Sequence, residues 1–466
     1  MTPDVPALKR IYMGTFEAEA YWKDPDTASL PTLPDRSGAA IVAAMDELLF
    51  CFCGQEDVLL TRYAMSPVHW QYISGFGFRP AVNAHDLSRF RDETVVLGSS
   101  ASVFELLCQR REDGVPGLPD VQDGLLAPFA YLPYTEEAAK AWGIRLHQPS
   151  LETVRKVNAK TYSSRLKERF GLSNPGQIVT SADELEQEGR KLLMEGTFLV
   201  KDDFGVSGKG NLHITSLQML ERIVAYLGQQ ERKGKRVCFI LEPFLEKEQD
   251  FSCQFVVSEA GEVEIVSVQL LANSSFSYRE SLLPDAGFME MLEDKGYFSF
   301  MKAIGRQLWM DGYFGDVCVD SMTLRDGSLE EIVEINARRS MSLIKHQLDV
   351  CLTERSLLGS MTNYTLSHQG TLSYEALLDK LEQAKLLFTE SREEGVMPLS
   401  ANTLYVNTGG RDTPNPAKGM NGSTDTGRKG KGRLYLAMIA ENQDRKAQLT
   451  QRLEHFLADN QFAVLN

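Results

Sequence analysis

The apolar positions of the first 150 residues fall into short segments with alternating helical and strand-like patterns. Residues 39–45 have the spacing of a helix, whereas residues 46–53 and 58–60 are compact apolar runs typical of strands. Strands that alternate with helices favour an α/β domain. The pattern therefore predicts an N-terminal α/β domain over residues 1–150.

Beyond residue 150 the pattern changes to longer helices and to strands joined by turns. A helix is predicted over residues 153–170, and a capping box (Ser-Ala-Asp-Glu) at residues 181–184 opens another. Residues 409–432 are poor in apolar side chains and rich in Gly and Lys, so a mobile loop is expected there. These changes predict a middle region over 151–372 and a small C-terminal domain over 373–466.

The clearest alternation belongs to a hairpin near the end of the middle region. Residues 317–322 and 331–336 alternate as strands, and the Asp-Gly-Ser sequence at 326–328 is typical of a tight turn. If the loop consists of those three residues, Asp320 falls opposite Glu334. A slip of one residue would send the two carboxylates to opposite faces. The period of two places four polar side chains on one face: Asp320, Glu334, Asn336 and Arg338.

Two carboxylates that face each other across a hairpin repel, which destabilises the pair by at least a few tenths of a kcal/mol. A divalent cation held by carboxylate and amide oxygens is the natural candidate to offset that repulsion. We therefore predict that Asp320, Glu334 and Asn336 are metal ligands.

A glycine-rich run follows a buried strand that ends at Lys201. It contains Gly205, Ser207, Gly208, Lys209 and Gly210. Closely spaced glycines let the backbone approach a ligand and expose its N–H groups, and together with the lysines these donors suit a polyphosphate. The spacing matches neither the GxxxxGK[ST] loop nor the GxGxxG fingerprint, and a flexible surface turn is the alternative interpretation.

The segment Glu242-Pro243-Phe244-Leu245 follows an apolar strand and is a candidate adenine contact. Its proline removes a backbone donor and leaves neighbouring backbone groups free to meet an adenine edge. Glu248 or Asp250, shortly afterwards, could accept hydrogen bonds from ribose hydroxyls. A solvated acidic turn is the competing interpretation.

Composition excludes some classes of function. The chain has 466 residues, 43% of them hydrophobic, which predicts a soluble globular protein of roughly two or three domains. A formal net charge of −15 argues against nucleic-acid or membrane-surface partners. Seven scattered cysteines, with neither an apolar leader nor a membrane-spanning run, predict a reduced cytoplasmic protein.

Taken in order over about residues 150–350, these pieces resemble the ATP-grasp superfamily. The resemblance includes Lys160 in the first helix of the middle region, Lys201 with GVSGKG after it, the linker EPFL, and Asp320 followed by EINAR. It implies an ATP-grasp fold of the α/β (α+β) class, in which the N-terminal domain precedes the grasp. It also implies ATP and Mg²⁺ as cofactors.

Carried over by position, the resemblance implies that Lys160 and Lys201 grip the phosphates beneath residues 205–210. Glu242, Phe244 and Leu245 would flank the adenine. One extra residue separates Glu242 from the ribose acid, so the choice between Glu248 and Asp250 stays open.

The flanking regions resemble peptide ligases of the pheganomycin type and butirosin-pathway ligases that attach L-glutamate to an acyl carrier protein. This implies an ADP-forming ligase of natural-product (antibiotic) biosynthesis that phosphorylates a carboxylate and passes it to an amine or a carrier-protein thiol. A peptide ligase acting on a free peptide amine, a carboxylase or kinase-like enzyme, and a nucleotide-binding regulator without turnover are alternatives. A homodimer is left open.

Two arginines are candidates for catalysis. Arg338 shares a face with the carboxylates and could steady the transferred phosphate and the later oxyanion. Its alternative role is a salt bridge to a neighbouring acid. Arg279, in the polar segment 273–279, could clamp a substrate carboxylate, with an ordinary surface arginine as the alternative.

Overall fold

The computed structural model describes residues 8–87, 101–109, 117–205, 210–274, 277–408 and 429–465. The strands of these residues form three sheets, one parallel and two antiparallel. The mixed α/β class predicted from the sequence is confirmed. No helix in the described ranges is both long and apolar enough to span a bilayer.

The N-terminal region is built on the parallel sheet, with strand order β3-β2-β1-β4. Its strands are β1 (Arg10–Met13), β2 (Val58–Leu59), β3 (Ala81–Val82) and β4 (Leu125–Pro128). Its helices are α1 (Ala18–Trp22), α2 (Arg36–Ala43), α3 (Pro67–Ser74), α4 (Val103–Gln109) and α5 (Thr135–Ala141). The strand predicted over 46–53 is wrong: Met45–Phe52 is a buried 3₁₀ helix. A continuous apolar run does not distinguish a buried strand from a buried helix.

A smaller antiparallel sheet follows, with strand order β5-β8-β6-β7. Its strands are β5 (Gln177–Val179), β6 (Phe198–Asp202), β7 (Asn211–Ile214) and β8 (Phe239–Pro243). The helices of this segment are α6 (Leu151–Val157), α7 (Lys160–Arg169), α8 (Ala182–Glu195) and α9 (Leu217–Arg232). The helix predicted over 153–170 is therefore two helices. Asn158, between them, exchanges hydrogen bonds with the backbone of Ala337, which fixes the start of α7 beside the hairpin.

The largest sheet has the order β13-β12-β9-β10-β11-β14-β16-β15, and β17 pairs with β14. Its strands are β9 (Lys247–Val257), β10 (Val263–Ser274), β11 (Ser277–Leu282), β12 (Gly315–Leu324), β13 (Leu329–Asn336), β14 (Gly359–His368), β15 (Gly395–Pro398), β16 (Gly430–Ile439) and β17 (Ala463–Val464). The remaining helices are α10 (Ala286–Asp294), α11 (Tyr297–Met310), α12 (Met341–Thr353), α13 (Tyr374–Gln383), α14 (Asn402–Tyr405) and α15 (Gln443–Asp459).

Strands from both sides of residue 372 belong to this one sheet, because β14 pairs with β16 along its whole length. The division into domains at that point stays a prediction. Residues 430–432 lie in β16 and not in the expected loop. Residues 409–428 of that loop lie outside the described residues.

Candidate active site

The β12–β13 hairpin pairs Asp320 with Glu334, the register expected from the sequence. Next to the turn, however, the two strands do not pair as a simple three-residue loop would require, because Thr323 pairs with Leu329 there. An irregularity between Asp320 and Met322 then shifts the register. A bulge of this kind bends a strand and re-aims its side chains, and here it brings the two acids opposite each other.

The carboxyl group of Asp320 has a raised pKa. Burial, followed by the neighbouring Glu334 carboxylate, raises the pKa of Asp320 from its ordinary value to about 7. The side-chain amide of Asn336 donates a hydrogen bond of 3.0 Å to Oδ2 of Asp320. Two facing carboxylates that are half-buried and repel each other are a suitable site for a cation.

The donor set fits Mg²⁺ in part. Across the described ranges, no group of three or more His, Cys, Asp and Glu side chains is placed to hold a metal. Asp320 and Glu334 supply hard oxygens, and Mg²⁺ in nucleotide sites takes its other ligands from phosphates and water. Asn336 turns its Oδ1 to Arg338 at 3.0 Å, so its amide must rotate before it can offer oxygen to a metal beside Asp320.

Lys160 reaches the hairpin from the first turn of α7. Its Nζ lies 2.5 Å from Glu334 Oε1 and 2.8 Å from the carbonyl oxygen of Gly205. Its backbone N–H donates to the carbonyl of Asp203, which ties the helix start to the turn after β6. Lys160 therefore links the glycine-rich run to the facing carboxylates, as a phosphate-binding lysine would require.

Lys201 lies nearby in a buried cluster of two lysines and two acids. Burial opposes its charge, but the carboxylates of Glu242, Glu334 and Glu330 outweigh that effect and raise the pKa of Lys201. Lys201 pairs with Glu242, and Lys167, whose side chain is 2% exposed, lies 2.6 Å from Glu330 and 3.6 Å from Glu242. Against the effect of burial, the two lysines lower the pKa of Glu242.

Lys167 was missed by the sequence analysis. It stands seven residues after Lys160, so both side chains fall on one face of α7, where Ser163 and Ser164 are also buried. Polar residues at this spacing on a buried helix face were the available signal.

The two outer residues of the glycine-rich run, Gly205 and Gly210, form its neck. A Cβ on Gly210 would lie 2.3 Å from the Cα of Gly205, and the reverse contact would be 2.5 Å. Only glycine permits this approach of two backbones. Ser207, Gly208 and Lys209 lie outside the described residues, and their phosphate role stays a prediction.

The residues predicted to bind adenosine lie on β8, on β9 and in the short segment between them. Glu242 is in the buried cluster, while Phe244 is 41% exposed and stacks on His213 with ring centroids 4.2 Å apart. Leu245 is half-buried. Glu248 is exposed, whereas Asp250 is half-buried and raises the pKa of Asp320, although burial and Glu334 do so more strongly. The adenine and ribose assignments stay predictions.

Arg338 makes the salt bridge that was its alternative role. Its Nε lies 2.8 Å from Oε1 of Glu19 on α1, and its Nη2 also donates to that oxygen. Arg338 thus connects the N-terminal region to Asn336 and the facing acids. The next residue, Arg339, pairs instead with Asp316 and donates to the carbonyl of Ala127.

Arg279 is not brought to the facing carboxylates. It lies in β11, which β9 and β10 separate from β12 in the sheet. Its backbone carbonyl accepts a hydrogen bond from Thr362. Its role as a carboxylate clamp stays a prediction.

The fold of this chain is similar to the folds of solved proteins. The chain is 13% identical to an N5-carboxyaminoimidazole ribonucleotide synthetase solved as an ADP complex, with a TM-score of 0.52 over 98% of both chains. It is 12% identical to the biotin carboxylase domain of a Hydrogenobacter thermophilus 2-oxoglutarate carboxylase, with a TM-score of 0.52 over 98% of this chain and 91% of that one. The chain shares the fold of these two proteins, and the ATP-grasp fold expected from the sequence is confirmed.

One curated relative extends the comparison. The chain is 23% identical over 231 residues to a [butirosin acyl-carrier protein]–L-glutamate ligase of Niallia circulans. That match covers 48% of this chain and 54% of the relative, so it spans about half of each protein. No protein-family model matches the chain.

Proposed function

We propose that this protein is an ATP-dependent, ADP-forming ligase. It activates the carboxylate of an amino acid as an acyl phosphate and joins it to an amine or to a carrier-protein thiol. The observation that carries the proposal is the pairing of Asp320 with Glu334 beside Lys160. The curated relative, an acyl-carrier-protein–L-glutamate ligase, favours L-glutamate and a carrier protein as the first substrates to try in natural-product biosynthesis.

The charges of the site suit phosphoryl transfer, which depends mainly on positioning and neutralisation. Lys160 and Lys201 would bind the outer phosphates in place of the carboxylates that they contact now. Mg²⁺ would be held by Asp320, Glu334 and a rotated Asn336, and when bound it neutralises charge on the β- and γ-phosphates.

Arg338 has the geometry to act after the phosphate has been transferred. Its guanidinium contacts Asn336, one of the proposed metal ligands, and offers several N–H donors in a fixed plane. It would steady the transferred phosphate and then the oxyanion that forms when the nucleophile attacks, an interaction typically worth ~10²–10³-fold in rate.

A substrate screen tests this proposal. The chain is incubated with Mg²⁺, ATP and each of the common amino acids, with and without a phosphopantetheinylated acyl carrier protein, and ADP release is measured. Mass spectrometry of the products then distinguishes an amide from a thioester. A Glu334→Gln variant that ligates at the full wild-type rate would contradict the metal assignment.

A carboxylase is the second candidate, because both solved relatives are named for carboxylation chemistry and one was solved with bicarbonate. In that case bicarbonate would be the carboxylate that is phosphorylated. Incorporation of ¹⁴C-bicarbonate into an acid-stable product, without dependence on any amino acid, would favour it over the ligase.

A further inference from the structure

Glu19 is the most unusual carboxylate near the site. It lies on α1 in the N-terminal region, and only 2% of the residue is exposed. Both the Nε and the Nη2 of Arg338 donate to the same oxygen, Oε1. The other oxygen, Oε2, is buried and has no hydrogen-bond partner in the part of the chain that the structure describes.

This pairing differs from the arrangement that an arginine and a carboxylate usually adopt. The guanidinium and the carboxylate match as two parallel N–H···O bonds, which satisfy both oxygens. Here the two N–H groups converge on one oxygen, and a buried acceptor without a donor raises the free energy of the folded chain. The spare oxygen of Glu19 needs a donor that the described residues do not provide.

The position of Glu19 indicates which ligand could supply that donor. Lys23, the extended residue that follows the last residue of α1, pairs with Asp202 at the end of β6, just before the glycine-rich run. Arg338 contacts Asn336, and Asn336 contacts Asp320. Glu19 and Lys23 therefore lie between the glycine-rich run and the proposed metal ligands, where the activated substrate would bind.

We propose that Glu19 is the subsite for the α-ammonium group of the amino acid that the enzyme activates. This rests on the proposed function, in which an amino acid is the carboxylate donor for either kind of nucleophile. A buried carboxylate requires a cation. When Arg338 turns to the transferred phosphate, the substrate ammonium replaces its positive charge beside Glu19 and satisfies Oε2. Glu19 thereby selects amino acids over carboxylic acids that lack the amine.

The test compares amino acids with their des-amino counterparts, such as L-glutamate with glutarate and L-alanine with propionate. KM and kcat are measured by ADP release for the wild type, Glu19→Gln and a control, Glu56→Gln. Glu56 is an exposed glutamate in the same region. The wild type and the control should have a KM at least about tenfold lower for the amino acid, the scale of one charge-assisted hydrogen bond.

In Glu19→Gln that preference should shrink to about twofold or less, with the KM for ATP unchanged. A variant that loses kcat equally on both members of each pair, and keeps the wild-type preference, would show that Glu19 only positions Arg338 and would overturn the proposal. A wild type that turns over both members of every pair equally would also overturn it. Failure of the wild type to release ADP with any acid would instead refute the ligase function itself.

Discussion

Lys160 and Glu334 form an ion pair of 2.5 Å that joins the start of α7 to the end of β13. The lysine side chain is 7% exposed and the glutamate side chain 24% exposed, so the pair is partly shielded from solvent. A cation already stands beside one of the two facing acids. In the proposed site Mg²⁺ would pair with Glu334 in place of Lys160, and Lys160 would then be available to the phosphates.

Lys160→Gln should therefore weaken ATP binding by on the order of tenfold or more, because a phosphate loses a charge-assisted hydrogen bond. Adenosine, which has no phosphates, should bind the variant and the wild type equally well. Lys156→Gln is the matched control, since Lys156 is exposed and pairs with Asp311 away from the hairpin. Calorimetric titration of ATP and adenosine checks both points, and equal losses for the two ligands would contradict the role of Lys160.

Lys167 should matter for stability. Replacing it with methionine leaves the carboxylates of Glu242 and Glu330 with less positive charge in a buried place, which typically costs about 3–5 kcal/mol. Lys191→Met, at an exposed lysine on α8, should change stability by less than about 0.5 kcal/mol. Urea unfolding of the two variants measures the difference, and similar midpoints would refute the structural role of the cluster.

Asp46 should make stability depend on pH. Burial raises the pKa of its carboxyl from the ordinary value to about 7 in the folded chain. Between about pH 4 and 7 the folded state therefore holds a proton that the unfolded state has lost, so the contribution of Asp46 to the free energy of unfolding falls as the pH rises through that window.

Asp46→Asn removes this contribution. The difference in unfolding free energy between the variant and the wild type should change steadily from pH 4 to 7 and level off above pH 7. Chemical denaturation at a series of pH values measures it. A difference that stays constant over the window would mean that Asp46 titrates at its ordinary pKa.

The neck of the glycine-rich run should tolerate no side chain. Gly210→Ala places a Cβ 2.3 Å from the Cα of Gly205, so the two backbones must separate. ATP affinity should fall by on the order of tenfold, since Gly205, whose carbonyl accepts a hydrogen bond from the proposed phosphate-binding Lys160, would be displaced. Gly196→Ala, where a Cβ meets nothing within 4 Å, should bind ATP like the wild type. If Gly210→Ala binds ATP with wild-type affinity, the glycine-rich run does not take part in nucleotide binding.

The sequence predicted those parts of the site that depend on local patterns. Alternation and a turn led to the pairing of Asp320 with Glu334, but the strands pair differently next to the turn, and a bulge that the sequence pattern did not show restores the predicted register. The capping box predicted at residues 181–184 opens α8, where the side chain of Ser181 accepts a hydrogen bond from the backbone N–H of Glu184. The alternation of apolar residues and the turn sequence suffice to predict such elements, because the interacting residues are close in sequence.

The remaining parts depend on contacts between distant residues. Glu19 meets Arg338 across 319 positions of the chain, and no periodic pattern encodes that pairing. The 3₁₀ helix at Met45–Phe52 was predicted as a strand because a run of buried apolar residues has no period that separates the two. Packing between regions decides both cases.

The central claim is that Asp320 and Glu334 share Mg²⁺ with the outer phosphates of a nucleotide, and nucleotide affinity with and without Mg²⁺ tests it most directly. A non-hydrolysable ATP analogue is titrated into the wild type, Asp320→Asn and Glu334→Gln, with Glu331→Gln as a control from the same strand. Mg²⁺ should tighten binding by at least about tenfold in the wild type and the control, and by much less in the two site variants. Site variants that keep the full gain from Mg²⁺ would contradict the account.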